Sequence, residues 1–120
     1  PKLVSVGESW VLKGFDEDFF AYVEDAELSL RMRQAGYSMH YQPAARVFHH
    51  CSLPGTPPSA FQIRQRDINR RRIMKKHASL GQRLPFLARF YVTRSILLLR
   101  YVLTRDWQRA QAILQGMGKG

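Results

Sequence analysis

Six of the nine acidic residues of this 120-residue chain fall between Gly14 and Tyr37, in the stretch GFDEDFFAYVEDAELSLRMRQAGY. They are Asp16, Glu17, Asp18, Glu24, Asp25 and Glu27. Beyond Leu28 only Asp67 and Asp106 follow, against seventeen Lys and Arg, and the net charge is +10. The carboxylates are interleaved with Phe15, Phe19, Phe20 and Tyr22. A solvated acidic surface does not normally carry so many rings. Carboxylates among rings point to a partly desolvated site, where a proton affinity can be tuned.

The rest of the composition sets bounds. A chain of this length suits one small domain, and 45% hydrophobic residues allow a core. The positive charge favours polyanions: phosphates, nucleic acid or an anionic membrane face. Cys51 alone cannot form an internal disulfide and fits a reducing compartment. No signal peptide is visible and the first residue is Pro1, so the chain reads as a piece of a longer protein.

Residues 3–6 (LVSV) read as a short buried strand, and a helical turn over Ser9–Leu12 closes at Gly14. A helix should start near Glu24 or Asp25 and stop at Gly36, with Leu28, Met32 and Ala35 on one face. Tyr37–Tyr41 alternates like a strand, and Arg46–His49 reads as a second one. Residues 52–59 form a Pro- and Gly-rich loop. Ser59 with Gln62 makes a capping box, starting a helix over Ala60–His77 with seven Lys and Arg against one acid. Leu84–Leu103 is an apolar helix interrupted by Arg89, Arg94 and Arg100. Three central arginines, at roughly 2.5–3.5 kcal/mol each on insertion scales, argue against a membrane span and for an interfacial or docked helix. At about 100° per residue Arg89 and Arg100 share a side that Arg94 does not. A last helix covers Asp106–Gln115, and Gly116, Gly118 and Gly120 fray the end.

The pattern GFDE-x-FF-x-Y-x-ED-x-E-L-x-L-R-x-R-x-AGY, followed by P-x-A-x-V-x-H, resembles the acceptor-side half of family-2 glycosyltransferases, above all bacterial enzymes of surface-polysaccharide synthesis such as rhamnosyltransferases. Lys13 stands where such enzymes usually carry a first glycine before the FDE. The resemblance implies an α/β fold of the GT-A (Rossmann-like) type, this piece being mainly helical with a few short strands. Residues 1–58 would be the acceptor-side part of the catalytic domain, and residues 59–120 C-terminal helices for peripheral membrane docking. The nucleotide-binding half, with its Asp-x-Asp motif, is not in these residues, so the piece alone should be inactive.

Roles follow from the same likeness. Asp25 would be the general base and Glu24 its orienting or acceptor-binding neighbour; read locally, Asp25 could equally cap its helix. Phe15, Asp16 and Glu27 would bind the acceptor. Asp16 could instead bond its own loop backbone, and Glu27 could simply pair with Arg31. His49 would complete the site of a divalent cation (Mg2+ or Mn2+) or touch the diphosphate, unless it is structural. His40, His49, His50, Cys51 and His77 lack the spacing of a zinc site. Arg70, Arg71 and Arg72 would meet phosphate or anionic lipid, unless they belong to a solvated face. The implied partners are a nucleotide-sugar donor, a glycan or lipid-linked acceptor and the inner face of the cell membrane, placing the protein in the cytoplasm. The rival classes are a basic nucleic-acid-binding module, disfavoured because no RNP-like or helix-turn-helix pattern occurs, and a non-catalytic membrane-docking domain.

Overall fold

The computed structural model describes residues 14–48 and 55–118. Four helices make up its regular structure: α1 (Glu24–Gln34), α2 (Ala60–His77), α3 (Leu80–Leu103) and α4 (Trp107–Gly118). Among the described residues there is no strand. The expected strand at 37–41 and the described part of that at 46–49 are therefore corrected to irregular chain. Alternation yields a strand only where one face is buried and a neighbour completes the ladder. Here Tyr41, Val47 and Phe48 are 90%, 86% and 93% exposed. The proposed strand at 3–6 and turn at 9–12 lie outside the described residues.

The helices begin and end where local chemistry dictates. Ser59 accepts from the Gln62 backbone N–H at 3.1 Å, and the Gln62 side chain accepts from the Ser59 N–H at 2.8 Å. Ser79 and Gln82 repeat this box ahead of α3. That helix therefore starts four residues before the expected Leu84, and Pro85 is carried in its second turn. Gly36 (φ +87°) ends α1 in the left-handed region, with the Tyr37 N–H donating to Met32 O at 3.0 Å. Arg105 (φ +57°) does the same for α3, with the Asp106 N–H donating to Tyr101 O at 2.8 Å. Asp106 then caps α4 by accepting from the Arg109 N–H. That bond is the main reason its carboxyl is held below the ordinary value.

α4 is the centre of the packing. Ala110, Ala112, Ile113 and Gly116 are buried, and α4 lies against both α2 and α3, as does Phe90 of α3 on the facing side. Gly116 was expected to fray. It instead marks the closest approach, where a Cβ would stand 2.8 Å from the Asp67 Cβ of α2. Asp67 is buried and receives Arg94 of α3, whose Nε lies 2.9 Å from Oδ1 and 2.8 Å from Oδ2. Burial pushes the Asp67 carboxyl above its ordinary value, and Arg94 opposes the shift. Arg94 thus turns inward while Arg89 and Arg100 are exposed, the division that the helical spacing predicts.

Gly116→Ala should therefore destabilise the helical unit despite the better helix former. Overpacking of about 1–3 kcal/mol outweighs a propensity gain of up to about 1 kcal/mol. Gly118, with nothing within 4 Å of an added Cβ, should accept Ala without loss. Denaturant midpoints of the two variants check the contrast.

Candidate functional site

The acidic stretch is folded against one side of α2. Asp16 Oδ1 accepts from the Asp18 N–H at 3.0 Å, making a tight local turn. Its other oxygen lies 2.6 Å from Lys76 Nζ, which also reaches Asp18 Oδ2 at 2.5 Å. The Lys76 bond holds the Asp16 carboxyl below its ordinary value, and the two carboxylates raise Lys76. Arg72 donates to the Asp18 carbonyl. Phe19 is buried beneath Arg72 and Lys76, whose cationic ends stand 5.8 and 5.5 Å from its ring centre.

The step from this loop into α1 is strained. Tyr22 (φ +65°) and Val23 (φ +74°) are both left-handed, and Val23 is the N-cap of α1. Such positions cost on the order of 1–3 kcal/mol each and persist only when the surroundings hold them. Asn69 of α2 is what holds them. Its side chain is fully buried, and Nδ2 donates to Ala21 O at 2.8 Å and to Tyr22 O at 2.7 Å. Arg66 stacks on the Tyr22 ring at 5.0 Å.

This entry fixes where the carboxylates stand. Asp25 is exposed in the first turn of α1, with Oδ1 2.7 Å from the Ala26 nitrogen. Val23 and not Asp25 is the N-cap, but the Asp25 carboxylate accepts this backbone N–H, so the local reading of a carboxylate bonded to first-turn backbone is met in part. Glu24 is half-buried, and its Oε2 is shielded without a hydrogen-bond partner among the described residues. Glu27 is 1% exposed. Arg31 Nε donates to its two oxygens at 2.7 and 2.9 Å, and His77 Nε2 lies 3.0 Å from Oε1. The pairing alternative for Glu27 is thus present, with an unforeseen third member. Arg31 also donates to Gly14 O at 2.6 Å, tying the start of the motif to α1. The carboxylate that is desolvated is Glu27, not Asp25, and Phe15 and Phe20 are exposed rather than folded over the ED pair.

The cations of α2 divide between surface and interior: Arg66, Arg70, Lys75 and Lys76 are exposed, and Arg64, Arg71 and Arg72 are half-buried. Arg72 and Lys76 hold the acidic loop, while Arg71 donates to Met117 O of α4 at 2.6 Å and Arg64 to Gln115 at 3.3 Å. Arg70 is exposed, 4.0 Å from Asp67. Of the three arginines expected to meet phosphate or anionic lipid, Arg70 stays at the surface, while Arg71 and Arg72 donate to backbone carbonyls of α4 and the acidic loop. Among the described residues no three His, Cys, Asp or Glu converge to hold a metal ion. The Lys76 ammonium sits between Asp16 and Asp18. His49, His50 and Cys51 lie outside the described residues. Asn69, Lys76 and His77 were not singled out in the sequence as contacts of the motif. A lone Asn amid cations carries no local signal of the two carbonyls it meets.

Among known proteins, the chain is 44% identical over 39 residues to the rhamnosyltransferase WbbL of Escherichia coli K12, covering 32% of this chain and 15% of that enzyme. It is 49% identical over 37 residues to N-acetylglucosaminyl-diphospho-decaprenol L-rhamnosyltransferase of Mycobacterium tuberculosis, covering 31% of this chain and 12% of that enzyme. The likeness is thus to a glycosyltransferase segment about a third of this chain long, and the chain spans a small part of either relative. No protein-family model matches the chain, and no solved structure does.

Two outcomes test this geometry. Asn69→Asp keeps the shape but cannot donate to two carbonyls, so it should destabilise at least as much as Asn69→Ala, by about 1–3 kcal/mol. Equal stability of Asn69→Asp and wild type, by thermal denaturation, would reduce Asn69 to a space-filler. Lys76→Met should cost on the order of 0.5 kcal/mol, the scale of exposed pairs. Asp16 is lowered from 3.8, so its share is full above that pH and is lost as pH falls through the lowered value. Lys76 is raised from 10.5, so its share is full below that pH and is lost as pH rises through the raised value. The wild-type advantage should therefore be flat between these limits and shrink beyond both.

Proposed function

We propose that these residues are the acceptor-side part of an inverting glycosyltransferase in cell-surface polysaccharide synthesis. A sugar passes from a nucleotide-sugar donor to a glycan or lipid-linked acceptor, and Asp25 is the general base. The short likeness to two rhamnosyltransferases supports the reaction class. The position of Asp25 supports its role: it stands exposed in the first turn of α1, while Glu27 three residues away from Glu24 is buried and doubly paired.

In this reading the Asp25 carboxylate takes the proton of an acceptor hydroxyl as that oxygen attacks the anomeric carbon. The bond to the nucleoside diphosphate breaks on the opposite face, and the configuration inverts. Glu24 orients the acceptor beside Asp25, and Phe15 and Asp16 line the approach. Glu27 contributes indirectly, by fixing α1 through Arg31 and His77. A divalent cation, when bound, would neutralise the departing diphosphate. His49 is the residue of this chain that would stand at that end.

Asp25→Asn in the full-length protein should lower turnover about 10²–10⁴-fold with folding intact, the usual worth of a positioned base. Near-normal turnover would transfer the role to Glu24. His49→Ala should weaken binding of the nucleotide diphosphate more than binding of the acceptor; a change in thermal stability alone would make the residue structural.

A further inference from the structure

α3 has a second face, and the other described helices do not cover it. Phe90 and Arg94 point into the helical unit. On the opposite side Leu84, Val92, Ile96, Leu99 and Leu103 are 67%, 60%, 64%, 59% and 73% exposed. Their spacing of eight, four, three and four residues, with Ala88 between the first two, follows one side of a helix. At 1.5 Å per residue the stripe runs about 28 Å. An apolar strip of that extent in water marks a contact surface.

The chemistry beside the strip identifies the contact. At about 100° per residue, Arg89 and Arg100 lie roughly 20° and 40° from Ile96, on one flank. Both are exposed, and α3 contains no Asp or Glu. Just beyond α3, Arg105 in the turn and Trp107 at the start of α4 are exposed too, Trp107 by 63%. An apolar stripe flanked by long cationic side chains, with a Trp at its end, matches the boundary of an anionic bilayer. There the stripe enters the acyl region and the guanidinium groups rise to the phosphates. Spanning is a different matter: no helix among the described residues is long and apolar enough to cross a membrane.

We propose that α3 lies in the plane of an anionic phospholipid surface, held by Leu84, Val92, Ile96, Leu99 and Leu103 and steered by Arg89 and Arg100. The lipid contact thereby moves from the arginines of α2 to those of α3. It does not depend on the transfer reaction, since binding to vesicles is read without turnover.

The test is flotation of the full-length protein with vesicles of phosphatidylglycerol and phosphatidylcholine, compared with phosphatidylcholine alone. Binding should require phosphatidylglycerol and fall in high salt. Ile96→Glu with Leu99→Glu should abolish it. Arg89→Gln with Arg100→Gln, which leave the apolar strip intact, should weaken it roughly 25-fold, at about fivefold per cation. Arg70→Gln should leave it unchanged. Equal binding to neutral vesicles, or loss with Arg70→Gln but not with the α3 pair, would overturn the assignment. So would absence of vesicle binding, whether Ile96→Glu then abolishes self-association or amide exchange shows residues 84–103 covered by the rest of the protein. Circular dichroism of each variant separates loss of binding from loss of folding.

Discussion

Everything in this structure hangs on α2 having two polar faces. Asn69, Arg72 and Lys76, with Arg66 and His77 at the margin, lie on one side and hold the acidic loop and α1. Arg64, Asp67 and Arg71 lie on the other and meet α3 and α4. The apolar residues Ile63, Ile68, Ile73 and Met74 of α2 are half-buried and spread around the helix, so no continuous apolar stripe anchors it. It is held by charged and amide side chains reaching neighbouring carbonyls and carboxylates. Such bonds contribute only about 1–3 kcal/mol each, but they fix geometry tightly.

The Asp67–Arg94 pair illustrates the difference between stability and specificity. Burying a carboxylate is unfavourable, and its raised proton affinity reports that penalty. Removing one partner would strand the other charge, whereas replacing both by apolar groups is often neutral or stabilising. The pair's main effect is to set where α3 crosses α2, and Gly116 lets α4 close over Asp67 at that point. A slip of α3 by one residue would swing Arg94 about 100° around its helix and away from its only carboxylate partner among the described residues.

The helices were legible because their boundaries are local. The Ser59–Gln62 box set the start of α2, and Gly36 ended α1, each through contacts within five residues. α3 begins before the apolar run that marks it because the second box, at Ser79–Gln82, sets its start four residues ahead of Leu84. The strands failed for a different reason: alternation at 37–41 says nothing about whether a neighbouring strand exists. In the site, the Glu27–Arg31 pair follows from helical spacing, but the partners Asn69, Lys76 and His77 lie some 50 residues away along the chain. Nor does the motif reveal that Val23, a β-branched residue, adopts a left-handed backbone. That conformation is imposed from α2, against local preference.

The two faces of α2 also differ in what lies beyond them. Towards α4 there is a small apolar interior around Ile113; towards the acidic loop the buried apolar residues, among those described, are Phe19 and Leu28. Protection of backbone amides from solvent exchange follows buried contact, and regions with little of it open at low free energy while the remainder stays folded. The loop and α1 therefore form a separate opening unit, able to detach from α2 and return without melting the other three helices. Amides of α4 would exchange only with the whole unit, and those of α1 far sooner. The acidic motif is thus renewed in shape more often than the three-helix unit it rests on.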